Sequence, residues 1–213
     1  MIAQFNCTGD WVFYLEGDEI IHEKDYSLIC KAMEDNLERT EVEALVFDYY
    51  HFYGTPDQYV YSPKWYRKAP RILRNTIRSW APDGLFWLIM DKNRQGRYPN
   101  SINIGCHLYH YGHVRSVAKM NEKMKRVEVY WSGKAGSFAG YGNVDLSTIV
   151  PFNFTHPSIV QKWLDLEAEH NFVVNPHYKL SVRDKKHRMM SRIEKIFRGL
   201  DLSKKQYKLI KHK

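Results

Sequence analysis

Asp10-Trp11-Val12-Phe13-Tyr14-Leu15-Glu16-Gly17-Asp18-Glu19-Ile20-Ile21-His22-Glu23 joins an apolar run to four acids and a histidine. Residues 11–15, rich in aromatics and valine, read as a buried strand. Glu16, Asp18, Glu19 and Glu23 then crowd into eight positions. Crowded carboxylates repel one another, and their hard oxygens suit Mg²⁺ or Mn²⁺, cations that commonly hold phosphates. In an extended chain, residues i and i+2 share a face, so Glu16 and Asp18 are placed to share one ion. Gly17 between them lets a ligand approach the backbone. The alternative is a solvated acidic turn that ends a strand.

Outward from this stretch, Tyr26, Ile29, Cys30, Met33 and Leu37 recur at helical spacing behind Asp25, a candidate N-cap. Residues 41–53 read as a long buried strand, Thr55-Pro56-Asp57 as a turn, and 58–68 as extended. Residues 71–79 fit either a short strand or a helical turn. Ala81-Pro82-Asp83-Gly84 is a break, 96–100 a loop, and 101–111 a strand closed by Gly112. A helix is predicted over 114–131, followed by a glycine-rich loop over 132–143. His156-Pro157 opens another helix, with proline at its first position. Met189, Ile193, Ile196, Phe197 and Leu200 form the apolar stripe of a last, amphipathic helix. The class is α/β: a mixed sheet flanked by helices, with a helical basic tail.

The 213 residues suffice for one sizeable core. No run approaches the roughly 20 apolar residues of a membrane span, and no signal peptide is evident. Cys7, Cys30 and Cys106 suggest neither a disulfide framework nor a zinc pattern, so a cytoplasmic setting is expected. The net charge of +8 is local. Residues 183–213 carry 12 Lys/Arg against three acids, net +9, and the other 182 residues carry 20 against 21, net −1. A nucleic-acid binder usually spreads its basic residues over a folded face, so nucleic acid is not the expected partner. A basic tail fits an anionic membrane surface, a partner protein, or solvation alone.

The stretch from Tyr49 to Arg78 holds eight aromatics up to Tyr66, then Lys64, Arg67, Lys68, Arg71, Arg74 and Arg78. Aromatic faces stack on sugars and arginine pairs with phosphate, so Trp65, Arg71 and Arg74 are candidate donor or acceptor contacts. The same mix suits single-stranded RNA, or a core with a basic edge. His107, His110 and His113 would share one face of a helix, but the surrounding residues read as a strand, which turns His107 and His110 to opposite sides.

The segment Asp10-Trp11 through Leu15-Glu16-Gly17-Asp18-Glu19 resembles the Asp-Trp…Leu-acid-x-Asp-Glu motif of glycosyltransferase family 2, inverting nucleotide-sugar transferases of GT-A fold. The likeness extends through Val46-Phe47-Asp48-Tyr49-Tyr50-His51-Phe52-Tyr53-Gly54, Lys64-Trp65-Tyr66-Arg67-Lys68 with Arg71 and Arg74-Asn75, and His107-Leu108-Tyr109-His110-Tyr111-Gly112. It covers residues 8–125. It implies a partial GT-A domain over residues 1–135, with a glycine-rich loop and helical basic tail over 136–213. Glu16 and Asp18 would hold Mg²⁺ or Mn²⁺ with His110 as a third ligand, or His110 is a core histidine. Asp18, Glu19, Trp65, Arg71 and Arg74 would contact substrate. Asp83 would be the general base, or merely a turn residue that caps the next element; the acid usually beside the base is replaced by Pro82.

The implied activity is metal-dependent sugar transfer from a nucleotide-sugar to a hydroxyl, on a saccharide or lipid-linked acceptor, with inversion. The apolar stripe of the basic tail would dock on the domain or, otherwise, lie on an anionic membrane at its inner face, where lipid-linked acceptors are found. Family members carry a nucleotide-binding half before this segment, and nothing before Asp10 corresponds to it. That implies a fragment, a separate N-terminal chain, or a degenerate relative, and an open sheet edge at the Asp10 strand. The competing class is a non-catalytic module for RNA or a partner protein.

Overall fold

The structure is a computed structural model and describes residues 2–82, 86–90, 96–166, 168 and 172–211. In chain order its elements begin α1 (Ile2–Phe5), β1 (Trp11–Phe13), β2 (Glu19–Ile21), α2 (Tyr26–Asp35), β3 (Ala44–Tyr53), β4 (Thr55–Val60) and β5 (Lys68–Arg74). They continue with β6 (Ser79–Trp80), β7 (Leu88–Met90), β8 (Gly96–Arg97), β9 (Asn100–His113) and α3 (Val117–Ser132). The last are β10 (Ile149–Pro151), α4 (Gln161–Leu166), α5 (Val182–Ile196) and β11 (Lys208–Leu209). The class is mixed α/β, as the sequence predicts.

The chain forms two compact units that are not consecutive halves of the sequence. Residues 1–49, 66–108 and 204–213 make the first unit, and residues 50–65 and 109–203 the second. The chain passes between them inside β3 and again inside β9.

In the first unit β1 pairs antiparallel with β5, and β5 antiparallel with β3. β9 pairs with β3, with β2 and, in parallel, with β11. β1 ends this path, with β5 its one strand neighbour among the described residues. β3 is the strongest strand signal in the chain, and Ala44, Leu45, Val46 and Phe47 are all fully buried. A run buried on both faces has no alternation to show. Its neighbours in the core are Ile29 from α2, Ile72 from β5, and Ile102, Cys106 and Leu108 from β9. β6, β7 and β8 form a small antiparallel sheet of their own, so residues 96–97, expected in a loop, are a strand. Asp25 occupies the N-cap of α2 but makes no side-chain cap bond.

In the second unit the end of β3 turns into β4, which pairs antiparallel with β10. The expected turn at Thr55-Pro56-Asp57 lies inside β4. The reversal falls instead at Gly54, whose φ of 74° is a conformation that costs only glycine little. A Cβ there would also lie 2.9 Å from the Phe172 ring. Tyr53, Val60, Met120 and Tyr141 form one buried cluster of this unit. The Ser116 hydroxyl caps α3, accepting from the Lys119 N–H, and left-handed Gly133 ends it. Pro157 is the cap of a 3₁₀ turn, Ser158–Val160, that leads into α4, rather than the first residue of the helix.

Candidate functional site

β1 delivers the chain to the acid cluster, and the Tyr14 N–H donates to the Arg71 carbonyl at 2.8 Å, so the β1–β5 pairing reaches the first acid. There the chain turns. The Glu19 N–H donates to the Glu16 carbonyl at 3.0 Å, closing a four-residue turn with Gly17 and Asp18 at its centre. The extended geometry expected for Glu16 and Asp18 therefore does not apply: strand alternation stops where this bond forms. Open space surrounds Gly17, where an added Cβ would meet nothing within 4 Å.

Arg71 holds the turn together. Its Nε donates to Glu19 Oε2 at 2.9 Å, and its Nη2 donates to Glu19 Oε1 at 2.7 Å and to Glu16 Oε1 at 2.9 Å. The Glu19 side chain is fully buried and that of Arg71 is 1% exposed, whereas Glu16 keeps 25% exposure. The Tyr49 hydroxyl donates to Glu19 Oε1 at 2.7 Å, and the Glu16 N–H to Glu19 Oε2 at 3.2 Å. The guanidinium also lies over the rings of Tyr14 and Tyr49, 5.4 and 5.6 Å from their centroids. Arg71 Nη1 is buried and finds no hydrogen-bond partner among the described residues.

The electrostatics follow from this arrangement. Burial pushes the Tyr49 hydroxyl well above its ordinary pKa, and the Glu19 charge adds to that despite Arg71. Tyr66 rises for the same reasons. Tyr14 rises through burial and then through Glu16. Burial opposes the charge on Arg71, but the acid and tyrosines around it win, and the guanidinium stays protonated. Arg71 thus offsets the repulsion between Glu16 and Glu19 that the sequence suggested a cation would offset. Asp18 sits half-exposed at the centre of the turn.

The carboxylates present suit a divalent cation that keeps other ligands. Mg²⁺ is usually held by one or two carboxylates plus substrate phosphates rather than by an all-protein cage. Asp18 and Glu16 could supply such a partial shell. Among the described residues no group of three or more His, Cys, Asp or Glu side chains forms a metal cage.

The other residues singled out from the sequence have varied settings. Asp83, the expected base, lies outside the described residues. Arg74, in the first unit, donates to the carbonyls of Asn36, Leu37, Arg39 and Val42 at 2.6–3.0 Å and covers the Trp11 ring at 4.5 Å. It ties β5 to the segment before β3. His110 is in the second unit, buried, with its Nδ1 3.0 Å from Nδ1 of His51. One nitrogen donates and the other accepts. β9 is a strand through His107, His110 and His113, so they share no helical face. Trp65, also in the second unit, meets the rings of His51 and His113 at 5.1 and 4.9 Å. Tyr49 was missed as a partner of the acid turn. Its only sequence signal was its place in an aromatic strand.

No known protein family matches the chain, and no curated protein matches it.

Proposed function

We propose that the chain belongs to a metal-dependent transferase that moves a sugar from a nucleotide-sugar to a hydroxyl with inversion, and that the turn Glu16–Glu19 is the metal–diphosphate end of its donor site. One observation carries the reading. The turn is preassembled around a buried arginine with three hydrogen bonds, and Asp18 is left half-exposed at its centre. A merely solvated acidic turn needs no such support. A carboxylate carried on such a braced turn, at the edge of open space, is what a cation bridging protein and phosphate requires. Asp18 and Glu16 would hold Mg²⁺ or Mn²⁺, whose charge stabilises the departing diphosphate. Asp83 keeps the role of base on the strength of the family resemblance.

The RNA-binding reading has less support. Of the basic residues between Lys64 and Arg78, Arg67, Arg71 and Arg74 are buried, and Lys64 and Lys68 pair with Asp184 and Asp48. Little of that stretch remains to track a phosphate backbone.

The test is hydrolysis of UDP- and GDP-sugars with Mn²⁺. Activity is expected to need Mn²⁺ and to fall at least about a hundredfold in Asp18→Ala. Equal activity in that variant would remove the metal role.

A further inference from the structure

The amphipathic tail helix α5 belongs to the second unit and is fixed to it by one face. Arg188 grips Asp145 through two bonds, Nε to Oδ2 at 2.8 Å and Nη2 to Oδ1 at 2.5 Å. Asp184 accepts from the Ser181 N–H and hydroxyl and from the Tyr178 hydroxyl, and pairs with Lys64 at 3.3 Å. Ser181 and Asp184 also close a capping box that starts the helix. At about 3.6 residues per turn, Asp184, His187, Arg188 and Ser191 share this inward face.

The opposite face therefore points to solvent, and it is apolar. Val182 is 86% exposed, Met189 57% and Ile196 73%, with Phe197 just beyond the helix at 62%. An inward face held by buried acids does not let this stripe turn toward the core. Exposed Arg183, Lys185, Lys186 and Arg192 flank the stripe on both sides, and the helix has no acid on this side.

We propose that α5 is a membrane-surface element that lays its Val182–Met189–Ile196 stripe into an anionic bilayer, with the flanking arginines and lysines at the headgroups. Charge complementarity selects this occupant. Apolar side chains between basic rims match a lipid interface, where the stripe inserts and the rims meet phosphate. RNA would leave the apolar stripe uncovered. A second copy would bring the basic rims of two such helices together. The proposal stands independently of sugar transfer, because its assay uses no donor.

The test is cosedimentation of the full chain with vesicles of phosphatidylcholine, with and without about 30% phosphatidylserine. Binding is expected with the anionic vesicles alone, and is expected to weaken as salt rises from ~0.05 to ~0.5 M. The triple substitution Lys185→Gln, Lys186→Gln, Arg192→Gln should lower partitioning about a hundredfold, at about fivefold per charge. Met189→Ser with Ile196→Ser should also abolish pelleting while leaving the urea midpoint unchanged, since all five side chains are exposed. Equal binding to neutral vesicles, no binding to anionic ones, or pelleting that survives the serine pair overturns the proposal. So does a dimer in light scattering that the serine pair dissociates, or a poly(U) complex that the serine pair leaves intact.

Discussion

Replacing Arg71 with methionine removes the cation on which the acid turn is built while keeping most of the side-chain volume. Three charge-assisted hydrogen bonds disappear, and Glu19, fully buried, keeps its charge without a countercharge. Breaking a buried ion pair from one side costs about 3–5 kcal/mol, because the remaining charge is left uncompensated. With a urea slope of about 2–3 kcal/mol per molar, the midpoint should fall by about 1–2 M. Adding Glu19→Gln removes the stranded charge and keeps an acceptor for the Tyr49 hydroxyl. The double variant should therefore be more stable than Arg71→Met alone, by about 2 kcal/mol. Urea unfolding followed by tryptophan fluorescence measures both. A loss under about 1 kcal/mol for Arg71→Met, or strictly additive effects in the double variant, would refute the reasoning.

Arg74→Met should cost about 3 kcal/mol in the same assay, since four backbone carbonyls lose a charged donor; a change under about 0.5 kcal/mol would contradict its bracing role. Gly54→Ala should cost about 2–3 kcal/mol, from its positive φ and the close Phe172 ring; a neutral effect would argue against the turn as described. Acid should loosen the anchorage of α5. The Arg188 hydrogen bond holds Asp145 below the usual carboxylate range. Burial pushes Asp184 up, but the Ser181 and Tyr178 hydrogen bonds and the Lys64 charge outweigh it and hold it well below. Both folded values lie under the unfolded value of about 3.9, so the unfolded chain takes up protons first as pH falls. The stabilisation should be full above about pH 5 and be lost below it. The pair Asp145→Asn, Asp184→Asn should be less stable at neutral pH and flatten the urea midpoint against pH; an unchanged acid slope would contradict this.

The strong elements were legible because their signals are local. β3 is dense in aliphatic and aromatic residues, and α5 has a helical period. The hairpin turn was misplaced because Thr-Pro-Asp is rich in turn formers, while Gly54 alone carries the backbone geometry. The acid cluster was visible as charge, and so was the candidate role of Asp18. The supports of the site were not. Arg71 sits 52 and 55 residues from its acids, and Tyr49 sits 30 from Glu19. Nothing in the chain near Arg71 distinguishes a buried guanidinium from a solvated one. The same holds for Arg74, whose partners are carbonyls and leave no trace in residue type. The stripe of α5 was legible in part: Met189 and Ile196 face outward as one stripe, but Ile193 is half-buried, Phe197 and Leu200 lie beyond the helix, and Val182 was not foreseen. That the stripe faces outward depends on the inward grip of Asp184 and Arg188, which only the folded chain reveals.

The most direct test of the metal–diphosphate reading uses a probe with no base and no sugar. Mn²⁺ bound to the protein can be followed by electron paramagnetic resonance while pyrophosphate is added. Pyrophosphate is expected to bind only with Mn²⁺ present, and Asp18→Ala to remove this binding while leaving the unfolding free energy within about 0.5 kcal/mol of the parent. Binding of Mn²⁺–pyrophosphate that is the same in Asp18→Ala as in the parent protein would contradict that reading.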